Sequence, residues 1–292
     1  MKKKVIPYSR QCIEEDDIRM VRNVLESDYI TQGPRINEFE EKLAAKVNCK
    51  YAVILNSGTA ALHAAYFSAG IGPGDEIITS PLTFAATANA ALYLGAGVVF
   101  ADIEKDTGNL DPDQVKNKIT EKTKGIVPVH YGGHPVDLEK FYRLATEFNV
   151  RLIEDASHAL GASYRDNPVG NCRYSDLATM SFHAVKHITT GEGGVIFTNN
   201  EEHYEKMRAF RHHGIKKEMH DTPEPEPWYY EMHDLGYNYR ITDIQAGLGI
   251  SQLQKLDRFV NRRREIAARY SAAFRDEDQI ICPVEKEYAH SS

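Results

Sequence analysis

The chain has 292 residues, of which 42% are hydrophobic and 26% are charged, so it can bury a large α/β core and part of a second domain. Its net charge of −7 at pH 7 argues against a nucleic-acid partner. The basic run of Arg262, Arg263 and Arg264 is interpreted as a solvated helix surface.

Cysteine usage and hydropathy indicate the compartment. Four cysteines, Cys12, Cys49, Cys172 and Cys282, are scattered without metal-ligand spacing, which favours a reducing cytoplasm and no bound metal. No apolar segment follows the N-terminal lysines, and no run approaches the length of a transmembrane helix. We therefore expect a cytoplasmic protein with neither a signal peptide nor a membrane partner.

Periodicity along the chain predicts alternating strands and helices. Helices are predicted over residues 14–27, 38–47, 81–93, 111–119, 137–148, 201–212, 243–256 and 257–274. Strands are predicted over residues 52–55, 76–79, 98–101, 125–129, 150–153 and 195–197. A Gly-Pro turn at Gly33 separates the first two helices. This alternation is typical of the α/β class with a mostly parallel sheet.

A phosphate-binding turn is predicted at Asn56-Ser57-Gly58-Thr59-Ala60. An apolar strand ends there and a helix begins. The free amides and the dipole of a helix start suit a phosphate, and Thr59 adds a hydroxyl. An ordinary strand-to-helix turn is the alternative interpretation.

Asp155 stands at the carboxyl end of the strand predicted over residues 150–153. Open α/β sheets bind their ligands at this edge. A carboxylate there can keep a pyridinium nitrogen protonated, which makes the ring an electron sink. A helix N-cap aspartate is the alternative.

Lys186 ends the apolar run Ser181-Phe182-His183-Ala184-Val185, and a glycine-rich turn leads from it to the next strand. This pattern predicts a lysine at the tip of a strand-loop-strand unit. Burial or nearby positive charge favours the free amine of a lysine, which then attacks aldehydes such as pyridoxal phosphate. A solvated surface lysine is the alternative.

The three motifs, with Glu154-Asp155-Ala156-Ser157-His158, resemble those of the DegT/DnrJ/EryC1/StrS sugar aminotransferases, from about Pro7 to the end of the chain. The resemblance implies a fold-type-I, aspartate-aminotransferase-like transferase that uses pyridoxal 5′-phosphate. Lys186 and Asp155 are then the catalytic residues. Sugar dehydratases of the group have histidine in place of this lysine, so Lys186 favours transamination.

The resemblance also implies roles for other side chains. Cofactor-binding residues are expected at Gly58, Thr59, Phe84, Asp155, His158, Ser181, Lys186 and Asn238. Substrate-binding residues are expected at Tyr8, Asp28, Tyr29, Ile30, Thr31 and His183. Because the family's equivalent of Asn238 reaches the phosphate of the neighbouring subunit, a homodimer with shared active sites is expected.

Transaminases of the pseudaminic acid pathway are the family members with the greatest similarity, judged from the combination of Pro7-Tyr8-Ser9, Ser27 to Gly33, Ser157-His158-Ala159-Leu160-Gly161 and Ser181-Phe182-His183-Ala184-Val185-Lys186. Those enzymes aminate C4 of UDP-2-acetamido-2,6-dideoxy-β-L-arabino-hexos-4-ulose, and the implied amino donor is L-glutamate. Other UDP- or dTDP-linked 4-keto-6-deoxy sugars are alternative substrates. A non-catalytic protein that keeps the cofactor pocket as structure is the alternative from another class.

Domain boundaries also follow from the resemblance. Residues 1–256 are expected to form an N-terminal arm and the cofactor-binding large domain. Relatives continue beyond the equivalent of Ile281-Cys282-Pro283-Val284 into a small C-terminal domain. Residues 257–292 are therefore expected to be the start of an incomplete small domain.

Overall fold

The computed structural model describes residues 7, 9–216 and 228–292. The helices in these ranges are α1 Glu15–Leu25, α2 Pro34–Val47, α3 Gly58–Ser68, α4 Ala85–Tyr93, α5 Pro112–Lys116, α6 Leu138–Phe148, α7 Glu201–Arg211, α8 Asp243–Leu253 and α9 Leu256–Ala273. The strands are β1 Tyr51–Leu55, β2 Glu76–Thr79, β3 Gly97–Phe100, β4 Thr123–Val127, β5 Arg151–Asp155, β6 Ser163–Tyr164, β7 Asn167–Pro168, β8 Leu177–Ser181, β9 Gly194–Thr198, β10 Ile215–Lys216, β11 Glu231–Met232 and β12 Ala289–His290. None of the helices in the described ranges is long and apolar enough to cross a bilayer.

A seven-stranded sheet forms the centre of the fold, in the order β1-β9-β8-β5-β4-β2-β3. Strand β9 runs antiparallel to both of its neighbours, β1 and β8. The other neighbouring pairs of this sheet are parallel. The predicted mostly parallel α/β sheet is therefore confirmed.

Helices cover both faces of the sheet because side chains alternate along each strand. On β1, Ala52 and Ile54 join an apolar core with residues of α2 and α8. The intervening Val53 and Leu55 join a second core with residues of α3 and α7. Three layers result, and polar groups at the strand ends remain available at the edges of the sheet.

One edge of the sheet collects the predicted motifs. Gly194, the first residue of β9, pairs with Leu55 on one side and with Ser181 on the other. Asp155 ends β5 and pairs with Thr179, two residues before Ser181. The turn after Leu55, the end of β8 and the end of β5 therefore lie side by side.

Besides the start of α4, which is Ala85 rather than residue 81, two predicted boundaries were wrong in ways that the local contacts explain. Helix α2 begins at Pro34, four residues before the predicted start. Proline is favourable in a first helical turn, and the Asp243 carboxylate accepts the amides of Gly33 at 2.7 Å and Arg35 at 2.9 Å. The second error concerns the apolar run before Lys186. Strand β8 ends at Ser181, and the chain then turns, with the Lys186 amide donating to the His183 carbonyl at 2.9 Å.

The C-terminal stretch packs against the rest of the chain at several points. Leu256 and Val260 of α9 are buried in the same core as Ile54. Strand β12 pairs antiparallel with β6. The Ser292 hydroxyl donates to the His158 carbonyl at 2.9 Å. The division of the chain at residue 256 stays a prediction.

Candidate active site

The Lys186 turn is closed at its base by backbone hydrogen bonds. The Phe182 amide donates to the Gly193 carbonyl at 2.8 Å, and the Phe182 carbonyl accepts the Thr190 amide at 3.1 Å. Phe182 is buried and its ring packs 5.4 Å from that of Phe39, measured between centroids. Phe182, which belongs to the apolar run of the predicted strand, therefore anchors the loop whose tip carries Lys186.

A cavity of about 380 Å³ opens beside this turn. Its lining combines cationic, imidazole and hydroxyl groups, contributed by Ser9, Tyr131, Gly132, His158, Val185, Lys186, His187, Arg263 and Ser292. Two predicted site residues, Lys186 and His158, therefore share one cavity. The volume is in the range of small-molecule sites.

The Lys186 amine makes no hydrogen bond or ion pair with any residue in the described ranges. Burial lowers the pKa of this amine, the negative charge of Asp155 opposes that effect, and the positive charge of Arg263 adds to it. A larger fraction of Lys186 is therefore uncharged near neutral pH than for a surface lysine. An uncharged, unpaired amine facing a cavity can act as a nucleophile or a base.

Lys255 shows what a buried structural lysine looks like in the same chain. Its ammonium group lies 2.7 Å from carboxylate oxygens of both Asp16 and Asp17. Burial by itself would lower its pKa, but hydrogen bonds to these carboxylates raise it above the ordinary value. The difference between Lys255 and Lys186 is the missing partner at Lys186.

His158 and His187 flank Lys186 in the cavity. Burial lowers the pKa of His158, and the charge of Lys186 lowers it further. Burial also lowers the pKa of His187 to about 3, and the positive charges of Arg263 and Lys186 add to the effect. Both imidazoles are therefore shifted towards the neutral form, in which one ring nitrogen donates a hydrogen bond and the other accepts one.

Asp155 is buried, with 4% of its surface exposed. Its Oδ2 accepts a hydrogen bond from the Thr87 hydroxyl at 2.7 Å. Its Oδ1 accepts from the Ser157 hydroxyl at 2.7 Å and from the Ser157 amide at 3.2 Å. Asp155 does not line the cavity, but its charge acts on both Lys186 and His158.

The predicted phosphate turn forms the start of α3. Ser57 is the N-cap, and its side chain accepts the Ala60 amide at 3.0 Å. Gly58 packs against Ser181, because a Cβ on Gly58 would lie 3.0 Å from the Ser181 Cβ. A Cβ on Gly194 would come within 2.5 Å of the Ser57 carbonyl oxygen, so this close approach of β9 requires glycine.

This turn has the donors that a phosphate needs. Thr59 is half-buried, and its hydroxyl has no hydrogen-bond partner among the described residues. The helix start, the Thr59 hydroxyl and the Ser181 hydroxyl therefore form a group of donors at one edge of the sheet. These residues fit a phosphate-bearing cofactor.

Phe84 precedes α4 and exposes 76% of its surface, unusually much for a phenylalanine. Its carbonyl accepts the Thr87 amide at 3.2 Å. Thr87 in turn donates its hydroxyl to Asp155. Thr87 therefore links the Phe84 backbone to the buried Asp155 carboxylate through two hydrogen bonds. The exposed face of the Phe84 ring can pack against a planar ligand.

Other predicted residues lie away from the Lys186 cavity of the same chain. The exposed segment of Asp28, Tyr29, Ile30 and Thr31 runs along the start of α8, where Thr31 pairs with Thr242 and the Ile30 carbonyl accepts the Asp243 amide. His183 is exposed, with its ring 3.9 Å from Glu192. Tyr8 lies outside the described residues.

Asn238 lies beside the phosphate turn rather than beside the cavity. Its carbonyl accepts the Asn56 side-chain amide at 3.4 Å, and the next residue, Tyr239, accepts the Asn56 backbone amide at 2.9 Å. The Asn238 side chain is exposed and has no hydrogen-bond partner among the described residues. Its predicted role towards a neighbouring subunit stays a prediction.

The basic run is more than a solvated helix surface, although Arg262 and Arg263 are both exposed and Arg264 is half-buried. Arg263 lines the cavity and donates to the Lys186 carbonyl at 3.1 Å. Arg264 donates to the carbonyls of Ser291 at 2.7 Å and Gly161 at 3.3 Å. Helical spacing from the buried Leu256 and Val260 places both on the inner face of α9, a signal that was available in the sequence.

Thr87 is the other residue that sequence reasoning missed. It is fully buried and touches Asp155. A threonine inside a predicted helix has no feature that indicates a distant carboxylate partner. The described residues contain no group of three or more histidine, cysteine, aspartate or glutamate side chains arranged to hold a metal ion.

Comparison with known proteins shows the family of the chain. The model of the DegT/DnrJ/EryC1/StrS aminotransferase family matches residues 11–292. The UDP-4-amino-4,6-dideoxy-N-acetyl-beta-L-altrosamine transaminase of Campylobacter jejuni (strain 81-176) is 41% identical over 99% of this chain and 74% of its own length.

Two solved structures extend the comparison. Helicobacter pylori PseC, described as an aminotransferase involved in the biosynthesis of pseudoaminic acid, has a TM-score of 0.86 and 38% identity, covering 94% of this chain and 72% of its own. The PLP form of a putative sugar aminotransferase from Streptococcus pneumoniae has a TM-score of 0.87 and 31% identity, covering 99% of this chain and 76% of its own.

Proposed function

Since the chain belongs to the DegT/DnrJ/EryC1/StrS aminotransferase family, whose cofactor is pyridoxal phosphate, we propose that it moves an amino group from L-glutamate to C4 of a nucleotide-linked 4-keto-6-deoxy sugar. The observation that carries the proposal is the unpaired Lys186 amine. Its pKa is lowered, and it faces a cavity at the carboxyl edge of the sheet. These are the properties of a lysine that bonds to an aldehyde cofactor.

The proposed sugar substrate is UDP-2-acetamido-2,6-dideoxy-β-L-arabino-hexos-4-ulose, and the product is UDP-4-amino-4,6-dideoxy-N-acetyl-β-L-altrosamine. Support comes from the name of the Campylobacter relative, which is 41% identical. Other UDP- or dTDP-linked 4-keto-6-deoxy sugars are the alternatives. Assays with a panel of such ketones and one donor test this choice, and the proposed substrate should have the highest kcat/KM.

The cofactor supplies an electron sink that stabilises negative charge at the carbon bearing the amino group. In the proposal, Lys186 would hold the cofactor covalently, and its free amine would move the proton at the donor Cα. Asp155 would accept a hydrogen bond from the ring nitrogen. His158 would hydrogen-bond the phenolic oxygen, and Phe84 would pack against one face of the ring.

The phosphate is assigned to the turn at the start of α3. Gly58 and Thr59 would donate from the helix start, and Ser181 would add a second hydroxyl from the end of β8. The unpartnered Thr59 hydroxyl and the packing of Gly58 against Ser181 support this assignment. A phosphate at a helix start is favoured by the helix dipole and by the free amides.

Arg263 favours an amino donor that carries a carboxylate. Its guanidinium group lines the cavity beside Lys186, and its hydrogen bond to the Lys186 carbonyl leaves other N–H groups available. Arginine binds carboxylates through paired N–H donors. L-Glutamate is the donor proposed here.

A homodimer completes the proposal. The exposed segment 28–31 does not line the Lys186 cavity of its own chain, and the Asn238 side chain is exposed without a hydrogen-bond partner among the described residues. In the proposed dimer, Asn238 binds the phosphate held by the partner, and Tyr8, Asp28, Tyr29, Ile30, Thr31 and His183 line the sugar site. Cross-linking and a measured molecular mass test the assembly.

Reduction with borohydride tests the central assignment. The purified protein should be yellow, and reduction should fix the cofactor to the peptide that contains Lys186. Lys186→Ala should abolish both the covalent adduct and transamination. Lys206→Ala is the matched control, because Lys206 is exposed and paired with Glu202 at 2.7 Å. An adduct on Lys206 in the wild-type protein would contradict the proposal.

The same preparation separates an enzyme from a cofactor-binding protein without activity. L-Glutamate should convert the bound cofactor to its pyridoxamine form, with the yellow absorbance lost. Retention of the absorbance at saturating glutamate, with the cofactor still attached to Lys186, would exclude the aminotransferase reaction.

A further inference from the structure

Asp155 is surrounded by hydrogen-bond donors. Thr87 donates its hydroxyl to Oδ2 at 2.7 Å, and Ser157 donates its hydroxyl to Oδ1 at 2.7 Å and its amide at 3.2 Å. An ionised carboxylate only accepts hydrogen bonds. The three donors therefore match the charged form of Asp155.

The Thr87 hydroxyl is itself a hydrogen-bond acceptor. The hydroxyl oxygens of Thr83 and Thr87 are 2.7 Å apart. Thr87 gives its single hydroxyl proton to Asp155, so Thr83 must donate to Thr87. The result is a relay of two hydroxyl groups, from Thr83 through Thr87 to Asp155, in which each bond polarises the next.

Thr87 is held in place through its backbone. Its amide donates to the Phe84 carbonyl at 3.2 Å, and its carbonyl accepts the Tyr66 hydroxyl at 3.0 Å. Both Thr87 and Tyr66 are fully buried. The hydroxyl that contacts Asp155 therefore starts from a fixed backbone position and is shielded from bulk solvent.

We propose that Thr87 is a positioning residue that holds the Asp155 carboxylate in place to accept a hydrogen bond from the cofactor ring nitrogen, with Thr83 as the outer donor of the relay. The inference rests on the cofactor site of the proposed function. A carboxylate that accepts charge-assisted hydrogen bonds competes less for the proton of its partner, so that proton would stay on the ring. Thr87 also joins this carboxylate to the backbone of Phe84, the residue proposed to pack against the ring.

Two substitutions at Thr87 separate its hydroxyl from its shape. Thr87→Val keeps the shape and loses the hydroxyl, whereas Thr87→Ser keeps the hydroxyl. With Thr87→Val the ring nitrogen is less protonated, so the nitrogen that joins Lys186 to the cofactor holds its own proton more strongly. The absorbance of the bound cofactor changes with pH as this nitrogen gains or loses its proton. The midpoint of that change should rise by about one pH unit, which corresponds to the loss of one charge-assisted hydrogen bond.

The rate should change with the spectrum. Conversion of the bound cofactor by glutamate should slow at least about tenfold in Thr87→Val, because one hydrogen bond to a charged group is lost. Thr87→Ser should stay close to the wild type in both measurements. If the side chain had only a structural role, the pH midpoint and the rate would not change together, and Thr87→Ser would not restore both.

Thr83→Val provides an independent measurement if Thr87→Val does not fold. Thr83 is only half-buried, and its loss removes the outer donor while Thr87 stays in place. The midpoint should shift in the same direction by a smaller amount. Thr198→Val is the matched control, because Thr198 is fully buried and its hydroxyl donates to the Asp176 carbonyl at 2.9 Å, away from Asp155. It should leave the midpoint unchanged.

Three results would overturn the relay. These are a wild-type midpoint in Thr87→Val, an equal defect in Thr87→Ser, or no shift in Thr83→Val. In each case the wild-type protein still has its Lys186-linked absorbance, so the proposed function stands. If the wild-type protein has no such absorbance, the proposed function fails and the relay fails with it.

Discussion

The Arg263 guanidinium donates a hydrogen bond to the carbonyl oxygen of Lys186 at 3.1 Å. This contact ties α9 to the turn that carries the candidate catalytic lysine. It also places a positive charge in the cavity, and that charge is one of the causes that lower the pKa of the Lys186 amine, after burial. A residue of α9 therefore acts on the lysine in the turn that follows β8.

Arg263→Gln should raise the pKa of Lys186, because the substitution removes a positive charge and keeps a donor. The apoprotein should then need a higher pH to attach pyridoxal phosphate at the wild-type rate. The KM for glutamate should rise about tenfold or more, the value of a lost hydrogen bond between charged groups. Stopped-flow absorbance across pH and steady-state kinetics measure the two effects.

Arg262→Gln is the control for this experiment. Arg262 directly precedes Arg263 in α9, is exposed, and pairs with Glu265 at 2.6 Å. It should behave as the wild type. An equal effect of the two substitutions would assign the change to α9 as a whole rather than to the cavity.

Asp155→Asn tests the charge opposite the ring nitrogen. The amide preserves the size of the side chain and removes its negative charge. The half-reaction with glutamate should slow by at least about a hundredfold, the effect of losing one well-placed electrostatic group. Asp257→Asn, at an exposed aspartate paired with Lys46 at 2.7 Å, is the control. Near-wild-type rates in Asp155→Asn would mean that another residue holds the ring.

Subunit exchange tests the assignment of Asn238 to the partner's phosphate. Lys186→Ala and Asn238→Ala should each be impaired, and a mixture should recover part of the activity. In a mixed dimer one site would carry both defects and the other would carry neither. No recovery, despite proven heterodimers, would show that Asn238 serves its own chain.

Acid stability should depend on His187. Its pKa in the folded protein is about 3, because it is buried beside Arg263, whereas an unfolded histidine titrates near 6.5. As the pH falls below about 6.5 the unfolded state takes up a proton that the native state does not, so the free energy of unfolding decreases, by up to about 1.4 kcal/mol per pH unit towards pH 3. His187→Gln should reduce this slope in urea titrations, while His183→Gln, at an exposed position, should not.

Much of the site was predictable because its residues follow strand ends. Asp155 and the turn at Gly58 come directly after apolar runs, and a parallel sheet brings such ends to one edge. The end of β8 was not predicted. Phe182 is apolar because it packs in the core, which cannot be distinguished from strand membership by local pattern.

Local sequence patterns were sufficient to predict the order of the motifs along the chain: a phosphate turn, a carboxylate and a lysine, within an alternating α/β pattern. Which polar groups meet depends on the packing of elements that are distant in sequence. Thr87 and Asp155 are 68 positions apart, and the Lys186 carbonyl and Arg263 are 77 apart. Periodicity reports which face of an element is buried, but a hydrogen bond between distant elements depends on how those faces pack. The partners of Asp155 and Lys186 therefore became visible only once the helices lay against the sheet.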